Sequence, residues 1–571
     1  MDEQIADALA EQLWNGSEEE KAEAARKVCR SVRNEDDASF LVTHGLVEAL
    51  MRTLEEGDDE LKRASVSAFE TLENVPTRPD VLDSIVEKGA ARVLRQQLGS
   101  TSTAIRKLAL AALSRLCCAA PGNSGLARFS ALDDAGVIDS LLEQLCDDAD
   151  DVKILALTGI SVLGGVTADP RSQRHRDVLV GKGGVDYVLE ALREGNGDVK
   201  TLAASTLRTL SDGFEMSSRT KRCTTLIKSG VVEAMVQQTN SDDKRVNGEA
   251  VMALAKLTGG EEGLERDELC DSLLDRGACG ALKQLLTKGN FDEQYWAAFA
   301  FANLAAGPQE SQRTERRCSS LLDDGVAQTL LEVVLGSSRG TLAPPTVMAL
   351  QNLTGGATDA TTKERRKEAL VDAGIIDAMR EVLSVHETEE LRAFALSTLQ
   401  NLTSGPEDAP ATERRCDLVT PLCGTDLFQR QLLMLSTTKV TLLALQTLNN
   451  LVGPPIGSLS RESRCDKLLD IKIADVLFAM LRNQDSRVRQ EALMALVSLT
   501  TGADGGERVH ARCNRLIDQK APTWLRLSLM AGAGDVGEFE QLAKWLLQNL
   551  DANASKSKTK DVKKMLRNIQ S

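Results

Sequence analysis

Aromatic residues are scarce: the 571-residue chain has 11 Phe, 4 Trp and 2 Tyr, 3% in all. Leu, Ala and Val must therefore fill whatever core it builds. Histidine is scarcer, at 4 residues, and His44, His175, His386 and His510 have no local carboxylate or Cys partner. None of the 12 Cys stands in a C-x-x-C pair, so the spacing of a structural zinc site is missing. No stretch holds about 18 consecutive apolar residues, the length a membrane span needs. No G-x-x-x-x-G-K-[ST] phosphate loop and no H-E-x-x-H zinc motif occurs. No run alternates apolar and polar residues with period two, so no sheet is expected. Together these absences lead to an expectation of no catalytic site, no cofactor and no metal.

Charge is plentiful but unbalanced, with 84 Asp and Glu against 68 Lys and Arg, a formal net charge of −16. A general nucleic-acid binder needs a basic face, so the expected partner is a protein or peptide, possibly basic. Residues 1–100 carry a net −10, and the segment 554–571, ASKSKTKDVKKMLRNIQS, a net +5. The basic segment reads as a solvated C-terminal tail after a main body of residues 1–553; the alternatives are contact with an acidic surface on this chain or another, and an address signal for the nucleus. The opening residues, MDEQIADALAEQ, lack the basic-then-apolar order of a signal peptide. The expected location is the cytoplasm or the nucleus, where the cysteines stay reduced.

What the sequence does have is a repeat. The segments AFANLAAG, MALQNLTGG, LSTLQNLTSG and LQTLNNLVG place Asn303, Asn352, Asn401 and Asn450 each 49 residues after the last. The same register falls on Ser31, Asn74, Arg115, Val162, Thr209 and Lys256 before them, and on Ser498 and Asn549 after. Each unit has a short apolar segment ending in Gly, a second apolar run, a polar turn and a third run. In the second and third runs apolar residues recur at i, i+3, i+4 and i+7, the signature of a helix buried on one face. Gly and Pro mark the joints, as in SGPEDAP and VGPPIG. A unit of this size shares its core with its neighbours, which predicts an α-solenoid.

One short helix and two longer ones, with Gly between the first and second, resemble the armadillo repeat family. The pattern G-[VIA]-x-x-[LVM]-[LVM]-x-x-L followed by A-L-x-x-L-x-N-L carries the likeness. It implies an all-α, right-handed solenoid of about twelve repeats, and a non-catalytic scaffold that binds an extended peptide or partner surface along a concave groove. Chaperones and cargo adaptors of this family (myosin chaperones, small-GTPase regulators, nuclear-import receptors) are the alternative. In armadillo groove binders, Asn at this register of the third helix clamps the peptide backbone. That implication falls on Asn74, Asn303, Asn352, Asn401, Asn450 and Asn549. Import receptors add a Trp one turn earlier; here only Trp545, before Asn549, keeps that spacing. The alternative role for these Asn is a tie between helices. Gly gives way to Lys472 and Lys520 in the last units, where a change of stacking is expected.

Two further ladders follow the same period. Cys223, Cys270, Cys318, Cys416, Cys465 and Cys513 share the apolar stripe of the first helix and read as buried, inert thiols. One residue earlier stand Arg128, Arg176, Arg222, Arg317, Arg366, Arg415, Arg464 and Arg512. Acids recur near the end of that helix (Asp134, Asp275, Asp323, Asp372, Asp470, Asp518), so these Arg and Asp are expected to pair across repeats in an exposed ribbon; the alternative is a basic strip that contacts a partner.

Overall fold

A computed structural model describes residues 3–570 apart from 75–78, 118–123, 166–169, 214, 261–262, 309–310, 338–342, 356–359, 386–387, 407–408, 424–436, 454, 503–505 and 531–535. Every regular element among the described residues is helical, as the missing period-two alternation requires. The chain divides into two compact units, Met1–Leu285 and Leu286–Ser571.

Within each unit the helix at the repeat register packs against its counterpart one repeat away. In the first unit this stack runs through Glu18–Ser31, Asp59–Asn74, Thr103–Leu116, Asp150–Gly164, Gly197–Leu210 and Lys244–Thr258. In the second it runs through Phe291–Ala305, Pro344–Thr354, Glu389–Thr403, Thr438–Val452, Ser486–Thr500 and Val536–Asn553. First helices stack on first helices in the same way, as Pro410–Cys423 does on Leu459–Asp470. This neighbour-to-neighbour packing is that of an α-solenoid. The core is aliphatic: Leu399, Leu402, Leu448 and Leu451 are fully buried with Ala395 and Ala444.

The turn between first and second helix depends on a left-handed backbone. Gly325 (φ 73°) and Gly374 (φ 94°) adopt it, and so do Lys472 (φ 62°) and Lys520 (φ 67°). The expected change of stacking at the two Lys is therefore not seen in this turn. The Lys backbones take the glycine conformation, at a cost of about 1–2 kcal/mol each.

The segment after residue 553 also departs from expectation. It is not a solvated tail. Lys560–Gln570 is a helix packed on Ala521–Met530 and Val536–Asn553. Val562 and Met565 are buried, and Lys558 bonds Asp518 at 2.6 Å. The apolar stripe covers the last third helix, while Lys560, Lys563, Lys564 and Arg567 stay exposed.

Candidate peptide-binding face

The third helices of the second unit bring the Asn register onto one half-buried face. Asn303, Asn352, Asn401, Asn450 and Asn549 all lie there, and Trp545, 48% exposed, sits one turn ahead of Asn549. The side chain of Asn74 lies outside the described residues.

The structure gives four of these amides a definite task. Asn352 Nδ2 donates to the Ala302 carbonyl at 2.9 Å, and Asn450 Nδ2 to the Gln400 carbonyl at 3.1 Å. Both acceptors lie in the last turn of the preceding third helix and also take the cap N–H, of Ala306 at 3.1 Å and of Ser404 at 3.0 Å, so the amide uses the carbonyl's second lone pair. Asn401 Nδ2 donates to Thr354 Oγ1 (3.2 Å), Asn450 Nδ2 to Thr403 Oγ1 (3.2 Å) and Asn549 Nδ2 to Thr500 Oγ1 (3.0 Å). So N-L-T is a two-part device: the Thr of one repeat receives the Asn of the next. The Thr partners recur two residues after the register, a spacing that sequence shows without revealing the bond across repeats. An amide has two N–H donors and two acceptor lone pairs, so each tie leaves outward hydrogen-bonding capacity.

The two stacks differ in polarity. Beyond the first turn of each third helix, the Phe291–Ala305, Pro344–Thr354, Glu389–Thr403 and Thr438–Val452 helices contain no charged residue. Ser486–Thr500 adds Glu491, and Val536–Asn553 adds Glu540, Lys544 and Asp551. In the first unit, by contrast, ion pairs link neighbouring third helices, as in Arg26–Glu60 (3.1 Å) and Arg208–Glu249 (2.8 Å). Corresponding contacts in the second unit use amides: Gln351 Nε2 to Ser397 Oγ (3.0 Å), and Asn449 Nδ2 to Glu491 Oε2 (2.6 Å).

The Arg ladder is buried rather than exposed. Arg176 and Arg415 have no exposed surface, and Arg464 has 1%. In six of the eight, Arg176 with Gly164 included, Nε donates to a carbonyl at the C-terminal end of the third helix just before it in the chain, while Arg128 Nε meets Asp83. Arg222 reaches Leu210 (3.1 Å), Arg317 Leu304 (3.0 Å), Arg415 Leu402 (2.7 Å), Arg464 Leu451 (3.1 Å) and Arg512 Leu499 (2.9 Å). A helix C-terminus favours a cation, and the planar guanidinium has donors left for carboxylates. Those carboxylates come from the previous repeat: Asp83 for Arg128, Asp177 for Arg222, Glu315 for Arg366, Glu364 and Glu368 for Arg415, Asp417 for Arg464. Three of the six expected acids pair instead with a more exposed set of bases: Asp372 with Arg414, Asp470 with Arg515, Asp518 with Lys558. Inter-repeat pairing holds, but its partners are reassigned.

The ladder cysteines are buried free thiols. Cys318 Sγ lies 3.4 Å from the Ala305 carbonyl and Cys416 Sγ 3.6 Å from that of Thr403. Burial pushes the thiols of Cys318 and Cys416 up to about 11 and that of Cys513 to about 12. Such groups are poor nucleophiles near neutrality. All six should resist a thiol reagent in the folded protein and react once it is denatured without reductant. Rapid native-state modification at any of the six, read by peptide mass spectrometry, would contradict their burial.

At the equivalent position of one repeat stands Lys367, which is fully buried. Its Nζ donates to the Ser404 carbonyl and lies 3.3 Å from Ser404 Oγ and 3.4 Å from Glu364 Oε1. Burial lowers its pKa to about 8, against the opposing pull of Glu364.

Two glycine patterns used by enzymes occur outside their working context. Gly336-Ser337-Ser338-Arg339-Gly340 fits G-x-S-x-G and Gly532–Gly537 fits G-x-G-x-x-G, but each follows a helix rather than a strand. Residues 338–340 and 532–535 lie outside the described ones. Among the described residues, no cluster of three His, Cys, Asp or Glu is placed to hold a metal, and no helix is long and apolar enough to cross a membrane.

Comparison with known proteins gives the fold alone. No family model matches the chain, and no curated protein matches it. Among solved structures, the crystal structure of an engineered protein from a structural genomics consortium aligns with a TM-score of 0.56 at 22% identity, over 88% of this chain and 100% of that one.

Proposed function

We propose that this protein is a non-catalytic, armadillo-type interaction scaffold that binds an extended segment of another protein along the third helices of its second unit. One observation carries this reading: a face of partly exposed amides and apolar side chains, uncharged beyond the first turn of four successive helices in a chain with 27% charged residues. Side-chain amides donate and accept at once, which suits a peptide backbone. An uncharged face sheds its water at lower cost than a charged one.

A random 16-residue peptide display library, panned on the full-length chain, tests the reading. A chain carrying Gln446→Lys and Trp545→Ser serves as the counter-target. Both side chains are at least partly exposed, so the variant should keep its helical spectrum. Peptides enriched on the wild type should lose at least tenfold in affinity for the variant. Failure to enrich any peptide, or equal affinity for both chains, would contradict the proposal.

A further inference from the structure

The chemistry of the ligand follows from the same face, so this inference rests on the reading just given. Its two ends are apolar and its middle is amide. Going along the stack, the side chain one turn ahead of the Asn register is Phe299, Met348, Ser397, Gln446, Met494 and Trp545. The Asn549–Thr500 tie fixes the register of the last pair. Met494 is 39% exposed and Trp545 48%, large values for apolar side chains on packed helices.

At the other end Tyr295, Trp296 and Phe299 form a cluster, with ring centroids 5.5–6.5 Å apart in edge-to-face and stacked pairs. In a chain with 3% aromatics, three rings meeting on one half-exposed surface need a reason. Each of the three keeps some solvent exposure, whereas Phe301 on the same helix is buried, so the cluster offers apolar surface to a ligand. Between the two apolar ends, Ser397 and Gln446 are polar and uncharged.

We infer that the face takes an uncharged extended segment of another protein, held by bulky apolar side chains near its two ends and by backbone hydrogen bonds between them. A basic ligand is disfavoured, because the four uncharged helices offer it no carboxylate past their first turns. Neighbouring helices pack about 8–10 Å apart, so Phe299 and Trp545, five steps apart along the stack, stand about 40–50 Å from one another. An extended chain rises about 3.3 Å per residue. The two anchors should therefore be about twelve to fifteen residues apart in the ligand.

The enriched peptides of the display experiment provide the probe. We expect them to carry net charge near zero and two bulky apolar residues at that spacing. Their affinity for the full-length chain should change less than twofold between 50 and 500 mM salt, and replacing either anchor by Ser should weaken it at least tenfold. Phe299→Ser and Trp545→Ser in the protein should each act on the anchor at its own end, so that loss of that anchor costs little further. Enriched peptides that are rich in Lys and Arg, and whose binding fades with salt, would overturn this inference while leaving the scaffold reading intact. Enrichment of a single anchor, with no effect of Phe299→Ser, would also overturn it. Failure to enrich any peptide would instead remove the reading on which it rests.

Discussion

Arg415→Ala should destabilise the protein by about 3–5 kcal/mol, the range for breaking a buried ion pair from one side. Arg415 has no exposed surface. Its Nε holds the Leu402 carbonyl, Nη1 meets Glu368 at 2.9 Å, and Nη2 meets Glu364 and Thr412. Truncation leaves a helix-end carbonyl without this donor and reduces the compensation of two carboxylates. Lys at the same position should recover only part of the loss, since an ammonium cannot reproduce the fork. Denaturant melts of the three chains measure the effect. A change below about 1 kcal/mol for the Ala variant, the size of an exposed pair, would show that the ladder is superficial. Because coupling runs between neighbouring repeats, the loss should be localised: amide exchange should accelerate in the repeats around residues 360–452 before the first unit responds.

Stability should also rise as pH increases from about 8 to 10.5, and Lys367 should be the cause. Its folded pKa of about 8 lies below the ordinary 10.5. Below pH 8 the amine is charged in both states, and the folded state bears the cost of burying it. Between the two values the folded protein has released the proton while the unfolded chain still holds it. Stability then increases with pH, by up to about 3 kcal/mol at 1.36 kcal/mol per unit. Lys367→Met keeps an unbranched side chain and removes the titration. It should flatten this slope and stabilise the protein at pH 7, although the donors to Ser404 and Glu364 are lost. Melts of both chains at pH 7.5 and 10.5 decide it: equal pH dependence would mean that another group titrates.

The repeat and its turns were legible because they depend on local rules. Asn every 49 residues, Gly at each first-to-second turn and 3.6-residue periodicity all act within one unit. Lys472 and Lys520 show the limit of that reasoning: the stack imposes the left-handed turn on residues that do not favour it. The partners of the Arg ladder were not legible, since Arg415 finds Glu364 and Glu368 51 and 47 residues away, and one first helix offers several acids. Burial of the Arg was hidden too, because a guanidinium becomes a core residue only when a neighbouring helix end faces it. The C-terminal helix is legible in the helical spacing of Val562, Met565, Leu566 and Ile569, although its segment is strongly basic. At the candidate face the Asn register was visible, but its ties to Thr354, Thr403 and Thr500 needed the packing of successive helices.

Hydrogen–deuterium exchange on the full-length chain, with and without a saturating enriched peptide, tests the central claim most directly. The account predicts slower exchange in the third helices of the second unit, from Phe291–Ala305 through Val536–Asn553, with the first helices 312–323, 360–372, 410–423, 459–470 and 507–518 unchanged. Protection confined to those first helices, or to the first unit, would contradict it.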